Sequence, residues 1–232
     1  MHLLNAIVDR PRKEAALAVS AAWVAFMAAL LIGGGLRDVG SVAIAAVSGA
    51  LLVFVGFATA SRCRRLPHRS ASAGRLSVLS VAGGVTLGMA NLAANRMIAG
   101  IDPALRALLK HRVEGLEAID AVIASPIMEE IAVRLFLMSG IAWIVFRLTK
   151  RPTWSFGIGL VGSAFVFAVL HLARPLPLDP TLANAYRAAL VAKYTLAGLP
   201  LGWIFWRWGL PYAILCHAAA NAAHLAVQSR VF

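Results

Sequence analysis

Apolar residues fall in long runs separated by short polar connections, and most runs are about 20 residues, the length of helix that crosses a bilayer. They extend over 15–36, 41–60, 76–95, 119–148, 154–172 and 186–208, and a seventh begins near Pro211. The apolar residues are continuous within each run and do not alternate, which predicts helices and argues against a β-barrel. The chain therefore reads as an all-α integral membrane protein, a polytopic helical bundle of about seven transmembrane helices. Residues 102–117 depart from the pattern. There Asp102, Arg106, Lys110, Glu114 and Glu117 stand among leucines, as in an amphipathic helix lying at the interface. One membrane domain, 1–232, is expected, with three N-terminal spans over 15–95, the interfacial helix over 102–117 and the remaining spans over 119–228.

Local signals add detail. The run from Ile119 to Leu148 would be about 45 Å long as one helix, against a hydrocarbon core of about 30 Å, so a break or strong tilt is expected. Ser125-Pro126 supplies an N-cap residue and a first helical residue at a suitable place. Gly198-Leu199-Pro200 reads as an interruption of the sixth run. In the third run, Gly83, Gly84 and Gly88 offer close helix approach, and Asn91 and Asn95, one turn apart, read as packing groups between helices.

Composition narrows the class. Hydrophobic residues make up 60% of the chain and charged residues 14%, with mean hydropathy +0.79. The formal charge of +12 would suggest nucleic acid in a soluble protein. Here the basic residues sit almost wholly in the connections, where they act as topology signals and anionic-lipid contacts, so the lipid bilayer is the expected partner and nucleic acid is not. The dense loop containing Arg62, Arg64, Arg65, Arg69 and Arg75 should face the cytoplasm, which puts the amino terminus inside. Arg10, Arg12 and Lys13 ahead of the first run imitate a signal peptide, but that run is long enough to span, and no cleavage is expected. The Ala- and Arg-rich composition suggests a bacterial cytoplasmic membrane. Cys63 and Cys216 are too differently placed to suggest a disulfide.

The polar residues inside the runs carry the candidate chemistry. Glu129, Glu130 and Arg134 lie within six residues, and each costs roughly 2.5–3.5 kcal/mol at the middle of a span. On an α-helix Glu130 and Arg134 are about 40° apart and can pair, whereas Glu129 points about 100° away from Glu130. One arginine neutralises one carboxylate, so Glu129 must hold a proton or face water, and either state suits a general base. The Ser125-Pro126 start would set both glutamates near the positive end of a helix dipole. His171 lies in the fifth run; Lys193, near the start of the sixth, is not counted among these candidates. On the seventh, His217, Asn221 and His224 share one face. Carboxylates, imidazoles and an amide from three helices compose a hydrolytic site: a base for water and donors for an oxyanion. Each also has a plainer reading: a structural Glu130–Arg134 ion pair, hydrogen-bonded packing for His171 and His224, wall packing for Phe167.

Glu129-Glu130-x-x-x-Arg134, Phe167-x-x-x-His171 and His217-x-x-x-Asn221, in this order, resemble the three motifs of the CPBP family, the CAAX prenyl proteases and bacteriocin-processing enzymes related to the Ras-converting endopeptidase. The resemblance covers Ser125 to Asn221. It implies an intramembrane glutamic-type endopeptidase without cofactor or metal, cutting a membrane-anchored or hydrophobic peptide. Glu129 and His171 would activate water, Glu130 with Arg134 would shape and charge-balance the site, His217 with Asn221 would stabilise the oxyanion, and Phe167 would wall the substrate pocket. Residues 119–228 would then be the catalytic core. Val133 and Leu135 depart from the pattern, standing where many members have phenylalanine and glycine, and bear on the fit of a bulky substrate. Three rival readings use the same residues. A zinc metalloprotease is disfavoured because no His-Glu-x-x-His is present, and a transporter because no inverted repeat is visible; a non-catalytic scaffold would keep its partner without Glu129 and His171.

Overall fold

The computed structural model describes residues 72–110, 114–172 and 177–231, and every regular element among them is helical. The expected spans over 15–36 and 41–60, the side of the amino terminus, Cys63, and positions 111–113 of the expected interfacial helix lie outside the described residues. The elements are α1 (Ala73–Ala99), α2 (Pro103–Leu109), α3 (Leu116–Thr149), α4 (Pro152–Leu170), α5 (Pro180–Arg207) and α6 (Leu210–Val231). Five of these, all but α2, contain a stretch long and apolar enough to cross a membrane.

Capping residues move several boundaries outward from the apolar limits. Ser72 accepts a hydrogen bond from the Arg75 N–H at 3.3 Å and starts α1 before Leu76. Asp179 accepts from Thr181 and Leu182, with Pro180 following, and starts α5 six residues before Tyr186. Asp102 caps α2 through the Ala104 N–H at 2.7 Å, but the helix stops at Leu109. The expected interfacial helix over 102–117 is thus one short helix, followed by a turn at Gly115, whose φ of 59° suits glycine. Leu105 of α2 packs against Ile98, Tyr186 and Leu190, which ties α2 to the bundle.

Two expectations are corrected. Ser125 and Pro126 do not open a helix; Ser125 has helical angles (φ −59°, ψ −48°) and lies inside α3. Proline in a helix removes an N–H and crowds the carbonyl four residues back. The chain absorbs this with a π-helical stretch, Asp120–Ala124, immediately before, and a second one, Glu130–Met138, follows the turn that carries Glu129. Pro200 likewise leaves α5 continuous.

The chain divides into two compact units. In one, residues 131–159, α3 packs closely on α4: a Cβ at Gly159 would meet the Met138 carbonyl oxygen at 3.1 Å. The other contains residues 66–130 and 160–232. Within it α1 lies directly against α6, as the glycines foretold. A Cβ on Gly84 would come within 2.2 Å of the Cys216 carbonyl oxygen, and one on Gly88 within 2.2 Å of that of Ala220. Both positions advance by four, so the two helices run in the same direction. Backbone cannot yield as a side-chain tip does. Gly88→Val is expected to lower the detergent-solubilised protein's stability by about 1–3 kcal/mol, read as a lower melting temperature. Gly74→Val, in open space, leaves it unchanged and serves as the control.

Candidate active site

The proline in α3 sets up the site. The Ser125 N–H bonds back to the Asp120 carbonyl, five residues away, and Pro126 has no N–H to offer. The Ala121 carbonyl therefore lacks both of its ordinary helical donors. Asn221 of α6 supplies one: its Nδ2 donates to Ala121 O at 2.7 Å. One amide hydrogen of Asn221 is thereby committed to holding α3 against α6.

The two glutamates separate as their spacing predicted. Glu130 is fully buried, while Glu129 has a side chain 28% exposed and lines a cavity of about 320 Å³. Glu129 Oε1 accepts from Ser125 Oγ at 2.5 Å, a bond that fixes the carboxylate's orientation from its own helix. Phe167, His171, His217 and Asn221 line the same cavity, so helices α3, α4 and α6 do bring these residue types together.

His217 stands between the glutamates. Its Nδ1 lies 3.0 Å from Glu130 Oε1, and its Nε2 lies 3.7 Å from Glu129 Oε2, an electrostatic contact too long for a hydrogen bond. An ionised carboxylate only accepts, so with one proton on the Glu130–His217 pair, Nδ1 holds it and Nε2 is a base. With a second proton on the pair, Nε2 carries a hydrogen and becomes a donor facing Glu129.

His171 falls just beyond α4, in a turn closed by its N–H on the Ala168 carbonyl. Its Nδ1 lies 2.8 Å from the Phe167 carbonyl oxygen. A carbonyl can only accept, so Nδ1 holds the hydrogen, and Nε2 of the neutral ring is left as an acceptor. Phe167 also meets the ring edge-on at 4.5 Å, and Tyr194 stacks on it at 4.4 Å. Phe167, itself buried, sits 6.4 Å from the His217 ring, so one aromatic side chain orients both imidazoles. Glu129 and His171 make no direct hydrogen bond among the described residues; they share the cavity. Arg134 is fully buried in residues 131–159, with Ser139 Oγ on its carbonyl. His224 also lines the cavity. Among the described residues no three His, Cys, Asp or Glu side chains converge as a metal ion requires.

Residues 114–223 match the family model described as type II CAAX prenyl endopeptidase Rce1-like. The match covers just under half of the chain and supports its assignment to the CAAX protease family. It is a membrane-embedded endopeptidase, a hydrolase acting on peptide bonds. Comparison with curated proteins and with solved structures gave no match. The matched stretch contains α3, α4, α5 and the part of α6 that carries His217 and Asn221.

Two cavity residues of the endopeptidase have no place in the sequence-based site. Tyr194 stacks on His171, and Lys193 donates to Asn95 Oδ1 at 2.8 Å. The Asp179-Pro180 cap was the available signal: it starts α5 early enough to put Lys193 thirteen residues inside the helix and away from its end.

Proposed function

We propose that this endopeptidase is of the glutamic type and hydrolyses a peptide bond of a membrane-anchored or hydrophobic peptide with water activated by Glu129 and His171. The observation that carries the reading is a carboxylate open to an intramembrane cavity, beside an imidazole whose far nitrogen is held by a second, buried carboxylate. Water in the cavity gives its proton to Glu129, with Nε2 of His171 as the second acceptor, and its oxygen adds to the scissile carbonyl carbon. The carbonyl oxygen becomes an oxyanion. It meets the remaining Nδ2 hydrogen of Asn221 and, when the Glu130–His217 pair holds two protons, the Nε2–H of His217. Collapse of this intermediate breaks the C–N bond, and the leaving amine takes the proton that the base had accepted. Glu130 acts through His217 by fixing its ring. Arg134, four residues on along the chain, is the charge-balancing residue that the family resemblance implies. The basic connections and the Ala- and Arg-rich composition favour a bacterial cytoplasmic membrane as its location.

The chemistry needs no metal, and that is its sharpest test. Enzyme purified in detergent, treated with chelator and dialysed should cleave a hydrophobic quenched-fluorescent peptide at its original rate. Loss of cleavage that returns on adding zinc would transfer the reaction to the zinc rival.

A further inference from the structure

A serine or threonine inside a helix ordinarily donates its hydroxyl hydrogen to the carbonyl one turn back. Ser77, Thr86, Thr149 and Ser155 all do so, at 2.8–3.0 Å. Ser125 departs from this habit. The carbonyl one turn before it is that of Ala121, which the π-helical turn and Pro126 deprive of main-chain donors and which Asn221 of α6 holds at 2.7 Å. A hydroxyl has one hydrogen to give, and with that carbonyl already met, a carboxylate is the better acceptor. The hydroxyl points forward, to Glu129 Oε1 at 2.5 Å, a length typical of an O–H donor meeting an ionised oxygen.

This bond makes the two oxygens of Glu129 unequal. Oε1 is engaged by a hydroxyl on its own helix, whereas Oε2 is the oxygen that faces His217 Nε2, at 3.7 Å. That nitrogen is the donor assigned above to the oxyanion, so Oε2 stands on the side where the water and the peptide carbonyl meet. A base must be held close to its reacting geometry, and tying down one carboxylate oxygen aims the other. We infer that Ser125 is a positioning residue for the general base: its hydroxyl holds Oε1 of Glu129, so that Oε2 takes the proton from water, and Asn221 makes this possible by occupying the Ala121 carbonyl. The same proton passes from Oε2 to the leaving amine. Helix α6 thus prepares the base from two positions one turn apart, with Asn221 directing the serine and His217 beside the free oxygen. The inference rests on the glutamic-type reading proposed above and adds which oxygen acts and what aims it.

The test replaces Ser125 in the full chain, purified in detergent, and follows cleavage of a hydrophobic quenched-fluorescent peptide. Ser125→Ala should lower kcat roughly tenfold to a hundredfold and leave KM close to wild type, because the base loses its aim while peptide binding is untouched. Threonine and valine have the same shape and differ in the hydroxyl, so they separate the hydrogen bond from packing. Ser125→Thr should keep most of the wild-type kcat, and Ser125→Val should share the loss seen in Ser125→Ala. A third comparison uses Glu129→Asp, whose shorter side chain no longer reaches Oγ. In that background Ser125→Ala should cost about twofold or less, since a residue acting only through the carboxylate has nothing left to position. A serine that merely supports the fold would instead lower the melting temperature and cost the same factor in both backgrounds, which overturns the inference. Equal kcat for Ser125→Thr and Ser125→Val overturns it as well, as does wild-type kcat in Ser125→Ala. If Glu129→Gln is inactive and Ser125→Ala is not impaired, the positioning role alone fails, whereas a fully active Glu129→Gln sinks the reading beneath it.

Discussion

Glu129→Gln should lower kcat for peptide cleavage by roughly 10²–10⁴-fold, the range that a positioned general base contributes. The substitution is chosen to remove the base and little else. Glutamine keeps the length of the side chain and an oxygen that can accept the 2.5 Å bond from Ser125 Oγ. The position is partly exposed to the cavity, so an amide there is not forced into an apolar wall. KM should change little, because the carboxylate's contribution arises when water loses its proton, after the peptide has bound. Melting temperature and far-ultraviolet circular dichroism should stay near wild type, which separates lost chemistry from lost fold. A variant that folds and cleaves at the full rate would remove Glu129 from the mechanism. Glu129→Asp should fall between the two, since it keeps the charge but withdraws it from both Ser125 Oγ and the cavity.

Residue types and their order were sufficient to find the helices that face the cavity, because charge inside a span is costly and the side chains that survive there are few. The difference in exposure between Glu129 and Glu130 was also legible: a 100° step around a helix buries one and opens the other. Helix ends were less so. Apolar limits started α5 at Tyr186, but Asp179 and Pro180 begin it six residues earlier, which is about 9 Å of helix. That shift hid Lys193 as an end residue and concealed its meeting with Asn95. The π-helical stretches were beyond periodicity altogether. A Ser-Pro pair has the composition of a helix start, and only tertiary packing shows that α3 continues through it, with Asn221 taking the carbonyl that Pro126 strands. Pairing of imidazoles with carboxylates was not legible either. Spacing fixes which residues share a helix face, whereas the 3.0 Å contact of His217 with Glu130 depends on how α6 approaches α3.

His217→Ala should combine a loss of activity with a loss of stability of roughly 2–5 kcal/mol, because it removes the imidazole from a carboxylate that stays fully buried. The two losses can be separated by changing both residues. If the stability deficit comes from the buried charge of Glu130, then Glu130→Leu together with His217→Ala should recover part of the lost melting temperature, since an apolar side chain leaves no carboxylate to satisfy. Activity should not return. The pair holds the only imidazole in contact with both glutamates among the described residues, and its Nε2 is the donor assigned to the oxyanion. A double variant less stable than His217→Ala alone would show that Glu130 is held chiefly by other parts of its surroundings. Recovery of stability without recovery of cleavage would instead place His217 in both roles: it holds the buried carboxylate in the fold and presents its other nitrogen to the reaction. A buried carboxylate is then retained because it fixes the ring that the chemistry uses.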